Sequence, residues 1–327
     1  MRGVDSYHVA QAPRRWGGAD GLWIAALASC VRRGILGARM KSLRFLLVLA
    51  TLCVAGFAAD TPKAPAGQRV FVTAHSFHIF VAPRFAPLAK AAGIEGHVLA
   101  GSQMIGGSKV IQHWNLQGTT NKAKTALTAG TVDVLTMSPH VYMPDEGIDR
   151  FVELGLKHNP KLRMLVQHSW TPWDGWVGDE KVAKNEDRDA RPLDKVRGAN
   201  KRWRDLLEAQ VAALHKKHEG ADIRIVPVGD AVMKLRELIA AGKAPGLAKQ
   251  TDLFTDQIGH GKLPIIALTT YCNFACIYGV SPVGLKDNEP ALDKLSPALK
   301  PLLQQIAWDA VTAYPLSGVK APKPASP

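Results

Sequence analysis

The stretch Arg69-Val-Phe-Val-Thr-Ala-His-Ser76-Phe-His78 decides how the chain is read. Its first half is a short apolar run with β-branched residues, the signature of a buried strand. The run breaks at Ala74-His75-Ser76, and helical periodicity takes over from Phe80 to Ala92, with Pro83 and Pro87 in its early turns. A small hydroxyl residue at the carboxyl end of a first strand occupies a privileged place in an open α/β sheet. Ligands there meet strand ends and helix N-termini together. Taken alone, Ser76 reads first as a turn or N-cap serine, so its meaning depends on the rest of the chain.

Working outward, His97–Ala100 reads as a second strand entering a glycine-rich loop, Gly101-Ser-Gln-Met-Ile-Gly106-Gly107-Ser108. Lys122–Gly130 is helical and stops at a glycine. Val132–Met137, Leu162–Gln167 and Ile223–Val228 are further buried strands, and Asp145–Asn159, Lys201–His218 and Val232–Ala241 carry helical periodicity. Leu263–Gly279 is the last long apolar helix expected. Residues 170–198 break the rhythm with Pro, Gly, Asp and Trp and read as a long functional insertion or lid. Strand and helix alternate five times, which predicts an α/β fold in three layers: a parallel sheet of about five strands with helices on both faces. One domain over residues 69–315 suffices, after a linker over 60–68 and before a Pro/Lys-rich tail, 316–327, expected to be disordered.

The composition is that of a globular protein, with 46% hydrophobic and 21% charged residues in 327. The net charge of +13 invites a nucleic-acid reading until it is located. Residues 1–59 hold eight basic and two acidic residues, a surplus of +6, which leaves +7 spread over the rest. No basic–aromatic run follows, so no nucleic-acid partner is expected. Residues 1–59 form a leader. Within it, Met40–Ala59 carries Lys41 and Arg44, an apolar run from Phe45 to about Ala55, and small residues at Gly56 and Ala58, the pattern of a secretory signal peptide. The run is shorter than the roughly 20 residues of a membrane span. The expectation is an exported protein, secreted or periplasmic, with no membrane attachment after cleavage. Met40 begins a complete signal by itself, which leaves both Met1 and Met40 as start positions. Beyond it, Cys272 and Cys276 share one helix face and read as small buried hydrophobes rather than a metal or redox pair.

The strand ends place Ser76, the loop 101–108, Ser138-Pro139-His140 and Gln167-His168-Ser169-Trp170 together. To these the segment Asp256-Gln-Ile-Gly-His260 adds a carboxylate and an imidazole, with three residues between them, just before a helix. Such a pair can share a hydrogen bond that fixes the tautomer and turns the other ring nitrogen toward a nucleophile. Ser76 is the candidate recipient.

On these residues the chain resembles the SGNH (GDSL-like) hydrolases, which carry a serine after the first strand of a flavodoxin-like sheet and a D-x-x-H pair before the final helix. The resemblance implies Ser76 as nucleophile, His260 as general base and Asp256 as orienting carboxylate. It implies an oxyanion hole from the backbone of Ser76 and of the second block's glycine, for which Gly106 is the best match and Gly101 the alternative. The Gly-Asp-Ser-Leu form is absent around Ser76. The asparagine of the third block is absent too, and Ser138 or His140 is left to substitute. The resemblance spans residues 69–279 and implies a serine esterase that needs no cofactor.

Other constellations are weaker. Gly101–Ser108 lacks the lysine of a phosphate-binding loop, and Ala74-His-Ser-Phe-His lacks the glycines of an α/β-hydrolase elbow. His75 and His78 have no neighbouring carboxylate, so no metal is expected; one is read as packing and the other as lining the pocket. Trp170, Trp173 and Trp176 lie within seven residues of a Pro/Gly/Asp segment, and indole faces suit sugar rings. With His140, Trp170 and Trp173 are the candidate substrate contacts, and an acylated saccharide is a sensible substrate. The alternative is a carbohydrate-binding protein that kept the fold and lost the chemistry.

Overall fold

The computed structural model describes residues 64–321. The proposed signal segment 40–59, the rest of the leader and residues 322–327 lie outside them. The five strands are β1 (Arg69–Ala74), β2 (Val98–Met104), β3 (Val134–Met137), β4 (Arg163–Gln167) and β5 (Asp222–Val226). All neighbours pair in parallel, in the order β2-β1-β3-β4-β5. The fold is therefore the α/β sheet read from the sequence, with the flavodoxin-like strand order.

Period-two alternation assigns the faces. Val70, Val72 and Ala74 point into one apolar cluster with Leu165 and Val226. That face is covered by α1 (Phe85–Ala91), α6 (Val228–Ala240), α7 (Leu263–Tyr278) and α8 (Leu299–Ala313). Phe71, Leu135, Met137, Met164, Val166, Ile223 and Ile225 point the other way. There they meet α2 (Val110–Trp114), α3 (Lys122–Thr128), α4 (Glu146–His158) and α5 (Leu193–Lys217). α7 is apolar all round because it lies between the sheet and α8, and Cys272 and Cys276 are fully buried within it as small hydrophobes. Burial in apolar surroundings pushes the Cys276 thiol up to about 12, so it packs as a neutral group.

Several boundaries differ from expectation. The helix expected over 80–92 is a 3-10 turn, Ile79–Arg84, followed by the short α1; the prolines suit helix starts rather than one continuous helix. β2 runs four residues further, to Met104, so Gly101 is a strand residue rather than a loop residue. It faces the Phe71 ring, where a Cβ would approach to 2.7 Å, and the β1–β2 register shifts between Val70 and Phe71. Gly101 is thus excluded as the oxyanion glycine.

α5 begins at Leu193 instead of 201, which shortens the insertion to residues 170–192. α8 was not expected, although Leu299, Leu303, Ile306, Ala307 and Val311 repeat at helical spacing and are buried. Residues 316–319 are no loose tail: Ser317 is fully buried and Val319 is 7% exposed. Residues 64–68 are packed as well, with Gly67 N–H donating to Glu95 O at 2.9 Å. Among the described residues no helix is long and apolar enough to cross a membrane.

Candidate active site

Ser76 follows β1 directly and His260 precedes α7, 184 positions later in the chain, yet Ser76 Oγ lies 2.9 Å from His260 Nε2. The other ring nitrogen, Nδ1, donates to Asp256 Oδ2 at 2.6 Å. That bond assigns the proton of the neutral ring to Nδ1 and leaves the Nε2 lone pair facing the serine hydroxyl. Asp256 Oδ1 accepts from the backbone N–H groups of Gly259 at 2.9 Å and His260 at 3.2 Å. Partial burial works to raise the Asp256 carboxyl, but hydrogen bonds from the His260 imidazole and from these N–H groups outweigh it and hold the group below the usual carboxylate range. The spacing is one residue longer than D-x-x-H. Gly259 absorbs the extra residue at φ +101°, a left-handed conformation that a side chain would strain.

The serine is held from beneath by a buried polar network. His78 Nδ1 donates to Gln167 Oε1 at 2.5 Å, and Thr136 Oγ1 lies 2.9 Å from His78 Nε2. Gln167 Nε2 donates to Phe77 O at 3.1 Å, and Asn273 Nδ2 donates to Gln167 Oε1 at 2.9 Å. Strands β3 and β4 and helix α7 are thereby tied to the turn that carries Ser76. Asn273 and Thr136 escaped the sequence reading, and Gln167 entered it as a strand end without this role. Gln167 ends a strand, as the reading required, but polar residues on apolar elements were the only signal for the other two. Burial lowers the His78 imidazole to about 4, which keeps it neutral.

His75 lines the pocket while His78 packs, so the two histidines divide as expected. Phe77 N–H donates to His75 Nδ1 at 3.2 Å, and Ser138 Oγ and Pro139 O lie 3.0 and 3.3 Å from Nε2. Burial pushes this ring down to about 3, opposed by the backbone bond to Pro139. Ser138 is 1% exposed, outside the pocket lining, and its Oγ is turned toward His75. His140 lines the pocket and stacks on Tyr142, ring centroids 5.0 Å apart. Gly106 and Gly107 also line it, on the loop after β2, braced behind by Ser108 Oγ at 2.8 Å from His113 Nε2. Among the described residues none accepts from the backbone N–H groups of Ser76, Gly106 or Gly107, which are thus available to an oxyanion.

The pocket above Ser76 and His260 has a volume of about 420 Å³. Val141, Pro172, Trp173, Trp203 and Ile258 give it an apolar wall. Trp173 lines this pocket, in a left-handed conformation at φ 53° followed by Asp174 at φ 52°. Trp170 does not. It is 3% exposed, its ring stacks on Phe77 at 4.6 Å, and its indole N–H donates to Gly259 O at 2.8 Å. Its role is to pin the His260 loop, because an indole that stacks inward on one side and donates on the other has no face left for a ligand. Trp176 is half-buried and outside the pocket lining. Trp203 was read only as the apolar side of a helix, and no local signal marks it as a pocket residue.

The insertion forms a clamp on the His260 loop. Arg188 Nη1 and Nη2 donate to the carbonyls of Asp256 and Gln257 at 2.6 and 2.7 Å. Trp173 N–H donates to Ile258 O at 2.9 Å, and Trp170 takes Gly259 O. Four successive carbonyls between the acid and the histidine are therefore held by residues of one segment. Arg188 is oriented by Asp174 Oδ1 at 3.2 Å, and Asp174 pairs on both oxygens with Arg236, at 2.9 and 2.6 Å. These three side chains are at most 1% exposed, and Phe254 lies under both guanidinium groups.

Compared by sequence, the chain matches no protein-family model and no curated protein. In shape it is similar to a candidate SGNH hydrolase from Slackia heliotrinireducens, at 14% identity and a TM-score of 0.40, covering 64% of this chain and 97% of that one. It is similar also to a candidate GDSL-like lipase from Parabacteroides merdae, at 12% identity and a TM-score of 0.39, covering 67% and 99%.

Proposed function

We propose that the chain is a serine hydrolase acting on carboxylic esters. The observation that carries the reading is the unbroken hydrogen-bonded series from Ser76 Oγ through His260 to Asp256, opening into an apolar pocket. His260 Nε2 takes the proton as Ser76 Oγ bonds to the ester carbonyl carbon. The resulting oxyanion is met by the N–H groups of Ser76 and Gly106, each such donor being worth about 10²–10³ in rate. The His260 proton then passes to the departing alkoxide, and water releases the acyl group with His260 again as base. A binding protein that lost its chemistry has no need of this alignment, since a Ser–His–carboxylate series adds nothing to holding a neutral sugar.

The test is turnover of 4-nitrophenyl acetate. Ser76→Ala and His260→Ala should each lower kcat on the order of 10⁴-fold, and a fluorophosphonate should label Ser76. Full activity in both variants would sink the reading. We also infer export from the signal-like segment 40–59; N-terminal sequencing of the protein from its native host should begin near Ala59 or Asp60.

A further inference from the structure

The pocket is unbalanced in charge. Its lining includes no carboxylate, and its two histidines besides His260, His75 and His140, are both held below the ordinary imidazole range by burial. Two ammonium groups stand around it. Lys109, on the loop that follows Gly106 and Gly107, lies 4.6 Å from the ring of Tyr142, which in turn stacks on the pocket residue His140. Lys181, from the insertion, lies 5.0 Å from the ring of Trp173, itself a pocket wall. They come from separate segments, and the charge of each is felt at His140, whose imidazole is lowered first by burial and then by Lys109 and Lys181. Both are exposed, and among the described residues neither pairs with a carboxylate, whereas the neighbouring Asp179 and Glu180 are engaged by Arg202 and by Arg191 and Lys195. Two of the lining residues also carry a buried ring nitrogen with no partner among the described residues, His140 Nδ1 and Trp203 Nε1. An indole N–H is a donor only. Two cations thus stand beside an apolar wall whose lining holds no carboxylate to neutralise them.

We infer that the substrate of this site is an ester carrying a second, anionic oxygen group, a carboxylate or a phosphate, received by Lys109 and Lys181 while its apolar portion lies along Trp173 and Trp203. The inference rests on the ester-hydrolase reading for the reaction but not for the recognition. Aromatic rings under the two lysines hold the ammonium groups in place without neutralising them, since a ring face attracts a cation yet leaves its charge free for an anion. The anion can belong to the acyl or to the alcohol portion, and matched pairs of esters separate the two.

The first pair is mono-4-nitrophenyl adipate against 4-nitrophenyl hexanoate, the second 3-carboxyphenyl acetate against 3-methylphenyl acetate, each corrected for spontaneous hydrolysis. In one pair the anionic ester should exceed its neutral partner in kcat/KM by about tenfold at low salt. That ratio should fall toward one in Lys109→Gln/Lys181→Gln and as ionic strength rises, because exposed charges are screened within about 10 Å at 0.1 M salt. Recognition is also read without turnover. In Ser76→Ala, quenching of indole fluorescence by mono-4-nitrophenyl adipate and by 4-nitrophenyl hexanoate, and competition by the two acetates, gives affinities that do not depend on the reaction. Tighter binding of an anionic member, lost when the two lysine substitutions are added, supports the inference even if the parent hydrolyses nothing, in which case only the esterase reading falls. Equal or weaker binding of the anionic member in both pairs overturns it, as does a preference that survives in the double lysine variant.

Discussion

Asp256 does two things with its two oxygens. Oδ1 closes the turn by accepting the N–H groups of Gly259 and His260, and Oδ2 holds the imidazole. Asp256→Asn keeps the size and loses the charge. Its amide group can turn an N–H toward Nδ1, which then has to accept and presents Nε2–H to Ser76, the wrong tautomer for a base. The expected outcome is a fall in kcat on the order of 10²–10⁴-fold with KM little changed, measured on 4-nitrophenyl acetate with folding checked by circular dichroism. A loss below threefold would assign the orienting role to another group. The acid–base pair was legible because both members lie within five residues of sequence. The support beneath Ser76 was not, since the His78–Gln167 bond joins positions 89 apart and Gln167 meets Asn273 across another 106.

At the scale of elements, strands and helices were legible wherever a local period exists. The alternation of Val70 and Val72 against Phe71, and the buried faces of α4 and α7, are examples. The insertion has no period, and its composition suggested a lid. Its order comes instead from contacts distant in sequence, such as Arg236 with Asp174, 62 positions apart. Removing one member of a buried ion pair leaves the other charge uncompensated, at a cost of about 3–5 kcal/mol, so Asp174→Asn should destabilise the whole domain. Arg188→Met is the sharper test, because it frees the Asp256 and Gln257 carbonyls while Arg236 keeps its bidentate pair with Asp174. In hydrogen exchange, segment 172–190 of the parent should be protected nearly as well as β4. In Arg188→Met, exchange over residues 255–261 should accelerate, and kcat should fall about tenfold or more, since small misplacements of catalytic groups are expensive. A segment that exchanges within seconds in the parent would restore the lid.

On the scale of the whole molecule, the same architecture sets a limit at low pH. Placing the site at the carboxyl ends of five strands brings β1, β3 and β4 residues into one buried polar layer, and the chain fills it with histidine. His75, His78 and His168 are each at most 4% exposed, and burial, the dominant cause, lowers their imidazoles to about 3, 4 and 4. In the unfolded chain the same groups titrate near 6.5. Above that pH neither state binds the protons, and the neutral buried rings contribute their full stability. Between about 6.5 and 4 the unfolded state binds protons that the native state refuses, so stability falls as pH falls, by up to roughly 1.4 kcal/mol per pH unit for each histidine. By pH 4 the three together remove a large share of what a domain of ordinary stability, about 5–15 kcal/mol, has to lose. The expected outcome is a Tm nearly constant above pH 7 that drops steeply from pH 6 to 4, with proton uptake on unfolding measurable by calorimetry in buffers of different ionisation enthalpy. His78→Gln, able to keep one bond to Gln167 or Thr136, should flatten that slope even if it lowers the Tm at pH 7. An unchanged slope in His78→Gln would remove His78 from the groups that set the acid sensitivity.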